Sequence, residues 1–156
     1  VTLIPEAPAL TFLATLSVDV GEPIDAGITP EGHRRIVPIT GGTVSGPQIQ
    51  GRVLPAGADY QILRSAELTE LDARYAVELD GGAVIYVHNA ALRFGAEKDI
   101  ARLNRGEEVD PALIYFRCSP RFSTASPEWT WLNHTIMVGT GRRGPGSVEI
   151  DVFTVS

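Results

Sequence analysis

The side chains able to do chemistry in this chain are polar groups set at alternate positions within apolar segments. Asp59 and Gln61 share one parity of the segment Ala58–Arg64, and Asp72, Arg74 and Glu78 share one parity of Leu71–Leu79. Asn89 and Arg93 fall on a third such face, and Asn133 and Thr135 on a fourth. A carboxylate such as Asp59 can act as a general base, while Arg or Asn side chains stabilise a developing oxyanion. In that scheme Asp59 is the base, His33 the proton shuttle, and Arg74, Asn89 and Asn133 the orienting or oxyanion groups. Gln61 and Tyr75 stand beside them as substrate contacts. Arg34 and Arg35, next to His33, offer an anion-binding pair, and Arg142-Arg143 could make a second. The alternative is that these parities face solvent and form cross-strand charge pairs. Periodicity alone does not say which face is inside.

Other chemistries find less support. The three histidines, His33, His88 and His134, lie on separate segments without HxH or HExxH spacing, so no metal site is expected. Cys118 follows Tyr115-Phe116-Arg117 in an apolar segment, and reads as a small core residue rather than a nucleophile. Gly139-Thr140-Gly141 does not match the spacing of a phosphate loop, and no helix start follows it. No cofactor is expected.

The elements that must position these groups are short. The chain has 156 residues, with 16 Gly and 11 Pro, which is one domain, residues 1–156, divided by many turns. Alternation marks strands over Leu10–Val20, His33–Ile39, Gln48–Leu54, Ala58–Arg64, Leu71–Leu79 and Ala83–Ala90. Gly21–Gly32 reads as a loop, Gly41-Gly42 as part of a connection, and Asp80-Gly81-Gly82 as a hairpin turn. Ala96–Arg105 is the one helical signal, with acidic residues early, Arg late and Gly106 as a stop. Leu113–Cys118, Trp131–Thr140 and Ser147–Val155 complete eight or nine strands. Such spacing suggests an all-β closed antiparallel barrel or a two-sheet sandwich. About eight strands would enclose side chains or one small ligand.

Charge and cysteine usage bound the partners. Thirteen basic against nineteen acidic residues give a net charge of −6, which argues against a nucleic-acid partner. No apolar run is long enough for a membrane helix, and no membrane partner is expected. A single cysteine suits a reducing compartment, so a cytoplasmic location is expected.

Several stretches together resemble one family of small bacterial and fungal proteins, domain of unknown function 3237, also termed UPF0311. The resemblance rests on Gly32-His33-Arg34-Arg35-Ile36-Val37-Pro38-Ile39-Thr40-Gly41-Gly42 and on Gly51 through Gln61. It continues through Asp72-Ala73-Arg74-Tyr75, Tyr86-Val87-His88-Asn89, Trp131-Leu132-Asn133 and Val138-Gly139-Thr140-Gly141-Arg142. The chain departs from the family's Asn-x-Gly-x-Arg pattern at Asn89-Ala90-Ala91-Leu92-Arg93. The resemblance implies a single closed antiparallel barrel with one short helix, similar to allene-oxide-cyclase or lipocalin barrels. It implies fold more than function.

The expectation for function is a barrel that binds a small organic molecule bearing a carbonyl or carboxylate. It would act on that molecule as an acid–base isomerase, cyclase or lyase. The alternative is a non-catalytic ligand-binding barrel, or a structural subunit of a homo-oligomer.

Overall fold

The structure is a computed structural model that describes residues 1–156. Ten strands make one antiparallel sheet: β1 (Leu10–Val20), β2 (Ile24–Thr29), β3 (Gly32–Ser45), β4 (Gln50–Val53), β5 (Ala58–Leu63), β6 (Leu68–Leu79), β7 (Val84–Gly95), β8 (Ile114–Thr124), β9 (Met137–Gly144) and β10 (Ser147–Val155). The order β1-β10-β9-β8-β7-β6-β4-β3 is closed by pairing of β3 with β1, which makes an eight-stranded barrel. Two strands are additional. β5 bridges β3 and β6 beside β4, and β2 pairs with the first half of β3. One α-helix, α1 (Glu97–Asn104), follows β7, and two 3₁₀ segments cover Pro111–Leu113 and Pro127–His134.

Besides the extension of β7 to Gly95 and of β8 through Pro120 to Thr124, three differences from the sequence expectation bear on the barrel. Ile24–Thr29 is a strand, although Pro23, Gly27 and Pro30 mark it as loop, because it adds to the exposed edge of β3. β3 runs through Gly41-Gly42 instead of stopping there. At Gly42, φ is +138° and a Cβ would lie 2.0 Å from the Ser17 carbonyl oxygen, so only glycine lets β1 and β3 close the barrel. Trp131–His134 is 3₁₀ rather than strand, and β9 starts only at Met137.

Alternation assigns the two faces. On β6, Thr69, Leu71, Tyr75, Val77 and Leu79 are buried, whereas Arg74 is exposed. On β7, Ile85, Val87, Asn89 and Arg93 are buried and Tyr86, Leu92 and Phe94 are exposed. The β6–β7 hairpin end of the barrel is filled by Val77, Leu79, Ile85, Val87, Phe122, Leu132, Met137 and Val152. Full burial of each large aliphatic there is worth about 1.5–3 kcal/mol. At the other end the inward positions turn polar. There α1 lies across the mouth, with Ile100 and Leu103 packed on Val109 and Ile114. No helix is long and apolar enough to cross a membrane.

Candidate functional site

A cavity of about 50 Å³ occupies this second end of the barrel. Every strand that reaches it contributes alternate residues. Val18 and Val20 come from β1, Arg35, Val37 and Ile39 from β3, Asp59 and Gln61 from β5, and Leu71, Ala73 and Tyr75 from β6. Asn89, Ala91 and Arg93 project from β7, Phe116 from β8, Arg143 from β9, and Val148 and Ile150 from β10. Leu103 and Asn104 of α1 complete the lining. Aliphatic groups thus form the walls, and a small polar set is gathered within them, as in small-molecule sites generally.

Asp59 is anchored by a local opening of the sheet. The β5–β6 ladder pairs Asp59 with Ala73 and Ile62 with Glu70, but skips Tyr60 and Gln61. The Asp72 amide freed there donates to Asp59 Oδ1 at 3.0 Å, and Gln61 Nε2 donates to Asp59 Oδ2 at 2.9 Å. Burial nevertheless raises the Asp59 pKa above the ordinary carboxylate value, outweighing these bonds and the attraction of Arg93. Its carboxyl is therefore a better base, and a readier proton carrier, than an exposed aspartate.

Arg93 is the second unusual group. Its residue is only 4% exposed, its Nε is a buried donor without a partner, and it makes no ion pair. The guanidinium lies 5.8 Å from the centroid of the Phe116 ring. Gly141 makes room for that ring, since a Cβ there would sit 2.6 Å from it. Burial pushes the Arg93 pKa down to about 10, with Asp59 opposing the shift and Arg143 and Arg35 adding to it, so Arg93 stays charged at neutral pH. Burial also lowers the pKa of Arg35 and of Arg143. Arg35 Nη1 donates to the Asn104 carbonyl at 3.4 Å, tying β3 to the end of α1.

Three amide oxygens, Gln61 Oε1, Asn89 Oδ1 and Asn104 Oδ1, are buried without partners. Unsatisfied polar atoms are few in native interiors, and four around one cavity mark a place built to receive polar groups. Tyr75 is buried on the same wall, and burial raises its pKa, so it is a neutral phenol there. Burial likewise pushes the Cys118 thiol up to about 11, which leaves it protonated among core residues.

Of the residues singled out in the sequence, the fold brings Asp59, Arg35, Gln61, Tyr75 and Asn89 to this cavity. Four lie elsewhere. His33 sits at the very start of β3, where its Nε2 meets Asp25 Oδ1 of β2 at 2.8 Å, outside the cavity. Arg34 and Arg74 have the opposite parity to the lining residues and point to the outer face of the sheet, where Arg74 Nε is 3.5 Å from Asp72 Oδ1. Asn133 belongs to the 3₁₀ segment near the packed end, and its amide bonds the Thr124 backbone at 2.8 and 3.0 Å. The sequence scheme thus loses its shuttle and two of its three orienting groups, and Arg93, Arg143 and Asn104 join the cavity in their place. The three histidines do not meet, and no group of three or more potential metal ligands exists.

Comparison with known proteins agrees with this architecture. The model of the family described as protein of unknown function DUF3237 matches residues 8–155. A UPF0311 protein of Rhodopseudomonas palustris is 48% identical over 144 residues, covering 92% of this chain and 94% of that protein. The crystal structure of a conserved protein of unknown function from the same species has a TM-score of 0.92 at 45% identity, covering 98% of this chain and all of that one. A β-barrel-like protein of Acinetobacter baumannii gives 0.85 at 39% identity, covering 99% of this chain and all of that one. At 19% identity, the structure of an enzyme from Penicillium herquei shares the fold, with a TM-score of 0.74 over both full chains. The family model spans residues 8–155 and the relatives match nearly the whole chain, and the chain belongs to the DUF3237, or UPF0311, family.

Proposed function

We propose that the open half of the barrel binds a small organic molecule with a carbonyl group and moves a proton on it through Asp59. The observation that carries this reading is the Asp59 carboxyl, held by two hydrogen bonds and raised in pKa, beside a buried arginine without a protein partner. A carboxylate whose pKa is raised is a stronger proton acceptor than a free one, and its conjugate acid can return the proton. Asp59 would take a proton from carbon next to the carbonyl, and the charge forming on the carbonyl oxygen would fall to the guanidinium groups that line the hollow, Arg93 with Arg35 and Arg143. In an apolar hollow such a fixed charge is worth far more than in water. Gln61 Oε1, Asn89 Oδ1 and Asn104 Oδ1 would accept hydroxyl or amine hydrogens and so set the orientation of the molecule. Return of the proton at another carbon makes an isomerase. Departure of a neighbouring group with the electron pair makes a lyase, and attack of the enolate carbon on an internal carbonyl, whose oxygen takes the proton back from Asp59, makes a cyclase.

The neighbours lend this reading modest weight. The Penicillium herquei structure is described as an enzyme. A Penicillium roqueforti protein, 24% identical over 159 residues, is named PR-toxin biosynthesis cluster protein 7. A shared barrel does not transfer a reaction, so the case rests on Asp59 and its surroundings.

Proton NMR in D₂O tests it. Wild-type protein incubated with a panel of small ketones, keto acids and hydroxy acids is expected to wash deuterium into the position next to the carbonyl. Asp59→Asn should slow that exchange by about 10²–10⁴-fold, the usual range for losing a general base. Exchange that is unaffected by the substitution contradicts the reading. A ligand that co-purifies with the protein but never exchanges favours the non-catalytic binding barrel.

A further inference from the structure

We infer that the molecule held in the cavity is a small carboxylate with an apolar body, its anionic head seated on Arg93 between Arg35 and Arg143. The inference rests on the preceding reading that the cavity is a ligand site, and it names the class of ligand.

Charge and geometry carry it. Three guanidinium groups and one carboxyl line the same hollow, so the site holds excess positive charge even with Asp59 ionised. Neither Arg35, Arg93 nor Arg143 makes an ion pair, although seven arginine–carboxylate ion pairs are formed elsewhere in the molecule. The neighbouring Arg142 shows what an arginine of this protein does when it has structural work. It faces outward from the same strand and binds both Glu149 and Asp151. Arg93 instead is buried without an ion pair, Asp59 being the one opposite charge in the lining, with its Nε unpaired and its guanidinium carbon 5.8 Å from the Phe116 ring centroid. A buried, pre-oriented guanidinium is the group best shaped to receive a carboxylate through two parallel hydrogen bonds. In the same lining, Val18, Val20, Ile39, Leu71, Val148 and Ile150 offer hydrocarbon contact. A polyanion would leave charge against those walls. A single carboxylate on a short, largely apolar chain matches the charge and the hydrocarbon of this lining, and the amide oxygens of Gln61, Asn89 and Asn104 are left for a hydroxyl on that chain.

The probes are butyrate and its uncharged isostere butyramide, with binding followed by ligand-observed NMR and by the Arg93 Nε–H resonance. Butyrate should saturate and bind at least about tenfold more tightly than butyramide, the factor expected for a charge-assisted pair. Arg93→Met should abolish that preference, and butyrate should shift the Arg93 Nε–H signal in the wild type. Should Arg93→Met fail to give a folded circular-dichroism spectrum, Arg35→Gln and Arg143→Gln decide, each reducing the preference at least threefold. Equal or tighter binding of butyramide, no binding of either probe, or an undiminished preference in the folded arginine variants overturns the inference. Asp59→Asn separates it from the catalytic reading. That variant should lose deuterium exchange while binding butyrate at least as well as wild type. Exchange without a butyrate preference removes only the carboxylate, and a butyrate preference without exchange removes only the catalysis.

Discussion

The two ends of this barrel are built from largely the same strands and do opposite things. Near the β6–β7 turn, Val77, Leu79, Ile85, Val87, Leu132 and Val152 pack to 0–3% exposure. Farther along β7 the inward positions become Asn89 and Arg93, and β5, which takes the place of β4 beside β6 at this end, adds Asp59 and Gln61, several of these with polar atoms that nothing in the protein satisfies. Buried charges and orphaned amides oppose folding, whereas close-packed hydrocarbon favours it. One half of the interior therefore stabilises the barrel, and the other half holds groups that are costly to keep. Such division is expected where a rigid scaffold must present a pre-organised site.

Substitutions that separate the halves give the sharpest tests. The largest effect on stability is expected at the packed end, where Ile85→Ala should cost about 2–5 kcal/mol in a urea titration. That variant should retain deuterium exchange at temperatures where it is folded, because Ile85 does not line the cavity. Asp59→Asn should do the reverse, losing exchange while gaining thermal stability. The Asp59 pKa is raised in the folded protein, so its contribution to stability is full below the unfolded carboxylate pKa, near about 4, and is lost as pH rises through the folded value. The melting temperature of Asp59→Asn should then equal that of wild type near about pH 3.5 and exceed it at neutral pH, since protonated Asp resembles the amide. A gain confined to acid pH would contradict the assignment of burial as the dominant cause. The smallest effect is expected from Arg74→Gln on the outer face of β6, which should leave both exchange and melting temperature unchanged within error.

Much of this was legible in the sequence, and the failures have physical causes. Alternation located most strands, and the shared parity of Asp59 with Gln61, and of Asn89 with Arg93, grouped residues that the fold does bring together. Parity does not say which face is inward, so Arg74 and Asp59 looked alike as candidates until ring closure put one outside and the other inside. His33 has the parity of Arg35 but lies beyond the rim, where β2 offers it Asp25; the loop-like composition of Gly21–Gly32 concealed that strand. Asn104 carries no local signal, because its place at the cavity comes from the way α1 crosses the barrel mouth. Gly42 reads as part of a connection and Gly141 falls just outside an expected strand, whereas each removes a side chain where two strands or a strand and a ring meet.

The most direct test of the central claim needs no substrate. Titration of the Asp59 side-chain carboxyl by ¹³C NMR, assigned by its loss in Asp59→Asn, reports whether this end of the barrel holds a carboxyl poised for proton transfer. A midpoint above the ordinary aspartate value of about 3.9 is the expected result. A midpoint at or below that value would mean that the carboxylate is fully solvated or firmly paired, and the hollow end would then be no site for acid–base chemistry.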